Sequence, residues 1–169
     1  DTVLLPGTAF IELALQAGTH SNTPVIDDLT LEAPLILGPG DGVLLQVRVG
    51  APGPDRTRPV TIHSRPAGEA EEQPWTRHAT GTLIPAREET DTHHAALTTW
   101  PPTGAHTLNT QNLYDHLADR GYHYGPTFQG LQAAWQDGDT HYAEVTLPPD
   151  TPHTDTFTLH PALLDTALH

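Results

Sequence analysis

Apolar side chains that alternate along the chain constrain its fold more than any other feature. The alternation runs through residues 25–32, 43–49, 60–64 and 75–83, and clusters of Gly and Pro separate several of these stretches. This pattern is typical of antiparallel strands joined by loops. An apolar helix precedes the four predicted strands, so the sequence predicts an α+β fold.

The predicted helix covers residues 6–18 and ends at Gly18. Its apolar side chains recur at helical spacing, and they extend nearly all round the helix. The main apolar face consists of Phe10, Leu13, Ala14 and Ala17. We therefore expect a deeply buried central helix.

A stretch without periodicity, residues 86–107, divides the chain into two units. It is rich in Glu, Thr, His and Pro, which is typical of a linker. The predicted units are residues 1–85 and residues 108–169. The second unit repeats the order of a helix followed by strands, which is consistent with a duplicated fold, although no residue-level repeat is present.

Turn and cap residues predict the elements of the second unit. A helix should begin after a cap at Thr110 and end at Gly121. Strands near residues 128–136 and 142–147 should flank a hairpin loop. A last helix should cover residues 162–169, since Pro161 suits its first turn. The predicted hairpin loop is Asp137-Gly138-Asp139.

Charge and composition exclude several classes of function. The 169 residues include 21 acidic and 7 basic side chains, a formal net charge of −14, which argues against nucleic acid or anionic lipid as a partner. No apolar run approaches the roughly 18 residues of a membrane helix, so we expect a cytoplasmic protein with no membrane partner. The absence of Cys excludes disulfides and thiolate nucleophiles.

Motifs for three other chemistries are missing from the sequence. There is no Gly-x-Gly-x-x-Gly, no Lys for a phosphate-binding loop and no Gly-x-Ser-x-Gly. Dinucleotide reduction, phosphoryl transfer and serine hydrolysis therefore have no support. No spacing of three ligands predicts a metal site.

Met is also missing, and the chain begins at Asp1, two residues before the apolar run Val3-Leu4-Leu5. An independently translated protein normally begins with Met. We interpret the sequence as a piece of a longer protein, with the last predicted helix cut off by the end of the chain.

Asp165 and His169 are the first candidates for chemistry. They are four residues apart in the last predicted helix, so their side chains share a face. Apolar neighbours disfavour a charged carboxylate, and a carboxyl group that keeps its proton can act as a general acid. The residues alone favour the alternative, an exposed Asp attracted to the helix dipole.

A second candidate is the run over residues 121–130, which holds three Gly, one Pro and three aromatic residues. This composition predicts a constrained turn before a strand, with phenolic hydroxyls available as hydrogen-bond donors. The alternative is a structural turn whose aromatic rings fill the core.

Three runs together resemble the dehydratase domains of bacterial modular type I polyketide synthases. They are VLLPGTAFIELA at residues 3–14, GYHYGPTFQGL at 121–131 and HPALLD at 160–165. The run WTRHATG at 75–81 is similar to the strand that closes the first half of that family's fold.

The resemblance implies a double hotdog fold, in which two antiparallel sheets are each wrapped on a central helix. It also implies that this chain lacks the start of the first hotdog and the later strands of the second. The family eliminates water from a β-hydroxyacyl thioester, carried on the phosphopantetheine of acyl carrier protein, and forms an α,β-unsaturated acyl thioester. The domain itself uses no cofactor. The implied partners are the acyl carrier protein, the other domains of the same synthase and a second copy of the parent protein.

In the family, a histidine of the first half removes the α-proton and an aspartic acid of the second half protonates the departing hydroxyl. By position, Asp165 matches the acid, and Tyr124 and His169 match residues that orient it. Gly7 lies where a backbone N–H would polarise the thioester carbonyl. The implied residues of the substrate tunnel are Pro6, Tyr122, Pro126 and Phe128.

The chain departs from the family at its first motif, His-x-x-x-Gly-x-x-x-x-Pro. Counting back from Pro6 puts Asp1 at the Gly position and the histidine four residues before it. Neither His20 nor His78 matches that position. We therefore expect this chain to be inactive alone and its parent to be an active dehydratase.

Two other functions stay open at this point. The parent domain could be degenerate, a structural spacer without catalysis. A stand-alone hotdog thioesterase is disfavoured by the linker and by the two unlike halves.

Overall fold

Two units make up the chain in the computed structural model, which describes residues 2–38, 42–68, 73–86 and 99–169. The units are Asp1–Arg87 and Glu88–His169. Residues 87–98 of the predicted linker lie outside the described residues. Within the described residues, no helix is long and apolar enough to cross a membrane.

All four strands predicted for the first unit are present: β2 (Val25–Leu31), β4 (Val43–Val49), β5 (Arg58–Pro66) and β6 (Thr76–Ile84). They form one antiparallel sheet with the order β2-β6-β5-β4. Two short strands, β1 (Val3–Leu4) and β3 (Ile36–Leu37), form a separate antiparallel pair. Alternation explains the burial of one face, since every second residue of β5 from 60 to 64 is buried.

Helix α1 (Gly7–His20) packs against this sheet. Phe10 lies in a core cluster with Leu35, Ile62 and Ala79, and Ala14 lies in a second cluster. Both residues belong to the predicted apolar face. Glu12 is also buried, and its carboxylate accepts a hydrogen bond of 2.7 Å from Gln16 Nε2.

The predicted end of α1 at Gly18 is wrong, because the helix continues to His20. Gly18 instead permits a close approach: a Cβ at this position would lie 2.5 Å from the carbonyl oxygen of Thr23. The Thr23 N–H donates to the Gly18 carbonyl at 2.9 Å, and Asn22 adopts a positive φ of 58° where the chain reverses. Gly18 is required by the packing of the turn rather than by the helix end.

A second antiparallel sheet lies in the second unit and consists of β7 (His106–Leu108), β8 (Leu131–Asp137) and β9 (Thr140–Val145). The order of its strands is β7-β8-β9. The predicted hairpin is confirmed: Asp137 pairs with Thr140, and Gly138 has the positive φ of 57° that suits a two-residue turn. Regular structure begins before residue 108, because His106 and Thr107 pair with β8.

Helix α2 (Leu113–Asp119) ends as predicted but begins later. Gly121 has a φ of 94°, its N–H donates to the Ala118 carbonyl, and the next N–H donates to the Leu117 carbonyl. This is the Schellman arrangement of a glycine-terminated helix. The cap residue is Asn112 rather than Thr110, because Asn109 Oδ1 accepts from the Gln111 N–H at 3.0 Å and this turn delays the helix.

Two further elements are shorter than predicted or of another type. Residues Pro126–Phe128 form a 3₁₀ turn instead of the start of a strand, and the Phe128 N–H donates to the Gly125 carbonyl. Helix α3 (Pro161–Thr166) is capped by His160 Nδ1, which accepts from the Ala162 N–H at 3.2 Å. It ends before His169, whereas the sequence predicts a helix up to that residue.

Candidate active site

A carboxyl group and an imidazole come together at the end of α3. Asp165 Oδ2 lies 3.5 Å from His169 Nε2, as their spacing of four residues predicts. The His169 side chain is 4% exposed and the Asp165 side chain 20% exposed. The carboxyl group is thus the more exposed member of the pair, and the imidazole is buried.

Tyr124 packs on the same imidazole. The ring centroids of Tyr124 and His169 are 4.2 Å apart with an angle of 51° between the planes. Gln129 Nε2 donates to the Tyr124 carbonyl at 2.8 Å, which fixes the backbone next to the 3₁₀ turn. Burial raises the pKa of the Tyr124 hydroxyl, and the negative charge of Asp165 raises it further. The hydroxyl therefore keeps its proton and can donate a hydrogen bond.

Sequence reasoning missed a third ring, Tyr114 of α2. Its centroid lies 5.7 Å from that of His169 and 6.3 Å from that of Tyr124, both close to edge-on. The Tyr114 hydroxyl oxygen accepts a hydrogen bond of 3.2 Å from the Leu131 N–H at the start of β8. Its position three and four residues before Leu117 and Ala118 was a usable signal, because this spacing defines one helix face.

Thr166 joins α3 to the 3₁₀ turn of the second unit. Its hydroxyl is within hydrogen-bond distance of two carbonyl oxygens, Ala162 at 2.8 Å and Phe128 at 3.2 Å. Thr166 is 2% exposed, and Gly130 lies against it, where a Cβ would collide with the Thr146 carbonyl oxygen. These contacts fix the helix residue next to Asp165.

The predicted tunnel residues differ in exposure. Tyr122 is 60% exposed, Pro126 is exposed and Phe128 is half-buried, all in the second unit. Pro6 and Gly7 belong to the first unit, where Pro6 caps α1 without a side-chain hydrogen bond. The structure thus brings Asp165 and His169 together with Tyr124 but assigns no role to the tunnel residues.

A cavity of about 330 Å³ lies at the start of α1 in the first unit. It is apolar apart from one carboxylate side chain, that of Glu32. Its lining residues are Leu5, Gly7, Phe10, Leu31, Glu32, Ala33 and Pro34. Gly7, the first residue of α1, lines this cavity, and the N–H of a first helix residue has no partner within the helix.

His78 is a buried polar residue that the period-two pattern did not predict. In the pairing of β5 with β6, Ile62 faces Ala79 and His63 faces Arg77, so His78 is the extra residue of a β-bulge. The bulge turns the His78 side chain into the protein, where it is 3% exposed and stacks on Phe10 at 5.8 Å.

Both ring nitrogens of His78 have partners. Nδ1 lies 3.0 Å from the Ala33 carbonyl oxygen, and Nε2 lies 2.7 Å from Ser64 Oγ. Because a carbonyl can only accept, Nδ1 carries the proton, and in the neutral ring Nε2 accepts from the Ser64 hydroxyl. Both nitrogens of this buried imidazole are hydrogen-bonded, so it is not available as a base.

Within the described ranges, no three His, Asp or Glu side chains are grouped so that they could hold a metal ion.

Two family models match the chain. One, described as the polyketide synthase dehydratase domain, matches residues 1–65, and one described as the polyketide synthase dehydratase N-terminal domain matches residues 92–169. The chain belongs to the polyketide synthase dehydratase domains. This membership explains why one chain holds two units of the same kind, each with an antiparallel sheet and helices.

Relatives of this dehydratase domain are much longer proteins. The chain is 50% identical over 170 residues to polyketide synthase GfsA of Streptomyces halstedii, a match that covers 99% of the chain and 2% of that protein. It is 43% identical over 169 residues to the pikromycin polyketide synthase component PikAII of Streptomyces venezuelae, with 4% of that protein covered. The chain therefore spans a small part of the curated relatives that it matches.

Solved dehydratase structures confirm the double hotdog, an α+β fold. One solved structure concerns dehydratase substrate selection for the borrelidin and fluvirucin polyketide synthases. It matches with a TM-score of 0.90 and 45% sequence identity, and the match covers 99% of this chain and 58% of that chain. The dehydratase domain from the terminal module of the rifamycin polyketide synthase matches with a TM-score of 0.89 and 42% sequence identity. This match covers 100% of this chain and 62% of that chain.

Proposed function

We propose that this chain supplies the acid of a dehydratase that removes water from a β-hydroxyacyl thioester on acyl carrier protein and forms an α,β-unsaturated acyl thioester. The observation that carries the proposal is the pair of Asp165 and His169, with Oδ2 and Nε2 3.5 Å apart and the carboxyl group the more exposed. Membership of the dehydratase family and the protonated hydroxyl of Tyr124 support it.

The chemistry needs two proton transfers. A base removes the proton from Cα, the electrons of that bond form the double bond, and the Cβ–O bond breaks as the Asp165 carboxyl protonates the oxygen, which leaves as water. His169 and Tyr124 orient the carboxyl group in this proposal. The Gly7 N–H, at the start of a 14-residue helix, stabilises the negative charge that develops on the thioester oxygen.

The base in this proposal is the histidine of the family's first motif. His78 cannot replace it, because both of its ring nitrogens are hydrogen-bonded in the core. Since the motif count puts the base four residues before Asp1, we propose that this chain alone does not catalyse the reaction.

The proposed partners follow from the substrate. Relatives carry a similar sequence within long synthases, so we propose that other domains of the same synthase are its neighbours. We propose that acyl carrier protein delivers the thioester on phosphopantetheine, with no cofactor in the domain, and that the parent is a homodimer. With a formal net charge of −14, the chain would repel an acidic carrier, so tethering supplies the encounter frequency.

The test uses the synthase module that contains this sequence and a β-hydroxyacyl-N-acetylcysteamine thioester as substrate. Mass spectrometry would follow the loss of water. Asp165→Asn keeps the shape of the side chain but removes the acidic proton, and we expect the rate to fall by about 10²- to 10⁴-fold. Asp155→Asn, at an exposed acid of the same unit, is the matched control and should leave the rate unchanged.

Four outcomes would count against the proposal. Undiminished turnover by Asp165→Asn would exclude this residue as the acid, and a wild-type module without enoyl product would favour a structural spacer. Hydrolysis of the thioester without enoyl product would favour a thioesterase. Turnover by the 169-residue chain alone would show that the base lies within it.

A further inference from the structure

His169 is fixed by packing rather than by hydrogen bonds. Both of its ring nitrogens are buried, and neither has a hydrogen-bond partner among the described residues; Nε2 approaches Asp165 only to 3.5 Å. Buried polar atoms are usually paired, and hydrogen bonds then set the ring orientation. Here that orientation depends on the side chains that contact the imidazole.

Tyr124 and Tyr114 provide these contacts. Tyr114 lies outside the three runs that resemble the dehydratase family. Its ring meets the His169 ring at 84°, with the centroids 5.7 Å apart, a T-shaped geometry that aromatic pairs prefer. Tyr114 also meets Tyr124 at 70° and 6.3 Å. It therefore contacts both residues that are proposed to orient the acid.

Tyr114 is well suited to hold these rings because both ends of its side chain are fixed. Its Cα belongs to α2, and its hydroxyl oxygen accepts from the Leu131 N–H at the start of β8. Gly130, the residue before Leu131, is buried and lies against Thr166, which follows Asp165 in the sequence. The ring is thus held between two elements that also support the acid.

We propose that Tyr114 is a positioning residue whose ring holds His169 against Asp165, so that the acid meets the β-hydroxyl of the substrate in one geometry. This inference rests on the proposed function. The ring carries the role, and the hydroxyl stabilises the ring's position. Loss of the ring should slow the chemical step and leave substrate binding unchanged, since Tyr114 itself acts through His169 and Tyr124.

The experiment compares kcat and KM of the synthase module for the β-hydroxyacyl-N-acetylcysteamine thioester. For Tyr114→Leu we expect kcat to fall roughly 10- to 100-fold with KM unchanged, the size expected for a misplaced catalytic group. Tyr114→Phe keeps the ring and should retain kcat within about twofold. If Tyr114→Leu is insoluble, Tyr114→Met takes its place, because Met keeps most of the volume without a flat face.

Tyr142→Leu is the matched control. Tyr142 lies in the same unit and contacts another ring, that of Trp100, at 6.2 Å. It should lower the melting temperature in the way Tyr114→Leu does but leave kcat unchanged.

Two results would overturn the role of Tyr114. Equal kcat values for Tyr114→Leu and Tyr142→Leu would reduce Tyr114 to ordinary packing, and a Tyr114→Phe variant as slow as Tyr114→Leu would move the role to the hydroxyl. Asp165→Asn, measured in parallel, separates this failure from that of the proposed function. If Asp165→Asn abolishes turnover, the dehydratase proposal survives whatever Tyr114 does.

Discussion

Replacement of His78 by Phe tests whether the buried imidazole stabilises the first unit through its hydrogen bonds. The phenyl ring can keep the stacking contact with Phe10, while the bonds of 2.7 Å to Ser64 and 3.0 Å to the Ala33 carbonyl are lost. The perturbation is therefore almost purely polar.

The size of the destabilisation depends on which polar groups are left without a hydrogen-bond partner. Each lost hydrogen bond contributes about 1 kcal/mol, and a buried hydroxyl without a partner costs about 1–3 kcal/mol more. Ser64 is only 7% exposed, so its hydroxyl would not find water, whereas Ala33 is partly exposed and its carbonyl can be solvated. We expect His78→Phe to lower the free energy of unfolding by roughly 2–4 kcal/mol.

Urea unfolding of the dehydratase domain, followed by tryptophan fluorescence, measures this change as a lower midpoint at constant slope. The double variant Ser64→Ala with His78→Phe removes the stranded hydroxyl as well. It should be more stable than the sum of the two single changes predicts, by about 1 kcal/mol or more. A His78→Phe variant within about 0.5 kcal/mol of the wild type, or strict additivity in the double variant, would refute the reasoning.

Three other predictions concern pH and packing. Burial raises the pKa of Tyr124 in the folded state above its ordinary value of 10. The stability that the protonated hydroxyl contributes should therefore be fully present below pH 10 and be lost as the pH rises further. In the Tyr124→Phe variant, the melting temperature should decrease less steeply at alkaline pH. Burial, together with the charge of Arg48, lowers the pKa of His63 below its ordinary value of 6.5. The stability that neutral His63 contributes should therefore be fully present above pH 6.5 and be lost as the pH falls below that value. A His63→Phe variant whose stability decreases just as steeply at low pH would contradict this. Thr166→Val keeps the shape of the side chain but leaves the Phe128 carbonyl without its donor, and unfolding experiments should show a loss of about 1–2 kcal/mol.

The parts of the fold that local chemistry decides were predictable from the sequence. The four strands of the first sheet follow from alternation, and the hairpin follows from Gly138. The helix end at Gly121 follows from its freedom to adopt a φ of 94°. Each of these features depends on residues that are neighbours in the sequence.

Features that depend on distant contacts were not predictable. Gly18 has the residue type of a helix stop, but its role is set by the Thr23 carbonyl that packs against it. His78 points inward because a bulge shifts the register between β5 and β6, and a single missing pairing cannot be seen in an alternating pattern.

The candidate site shows the same division. The contact between Asp165 and His169 follows from a spacing of four residues, which the sequence displays. The contribution of Tyr114 depends on three separate segments meeting, namely α2, the turn at Tyr124 and the end of α3. The spacing of Tyr114 from Leu117 and Ala118 indicates which face of the helix its ring lies on, but no local pattern encodes which rings it meets.

Three glycines of the first unit, Gly7, Gly18 and Gly81, differ in a way that matters to anyone who redesigns a synthase. At Gly18 and Gly81 an added Cβ would strike a backbone oxygen, so the fold itself forbids a larger residue. At Gly7 the nearest atom, at 2.9 Å, is the tip of the Leu31 side chain, which is half exposed and can swing aside. Gly7→Ala would therefore narrow the space at the start of α1 without unfolding the unit, which makes residue 7 an engineering position where access to the cavity can be tuned separately from stability.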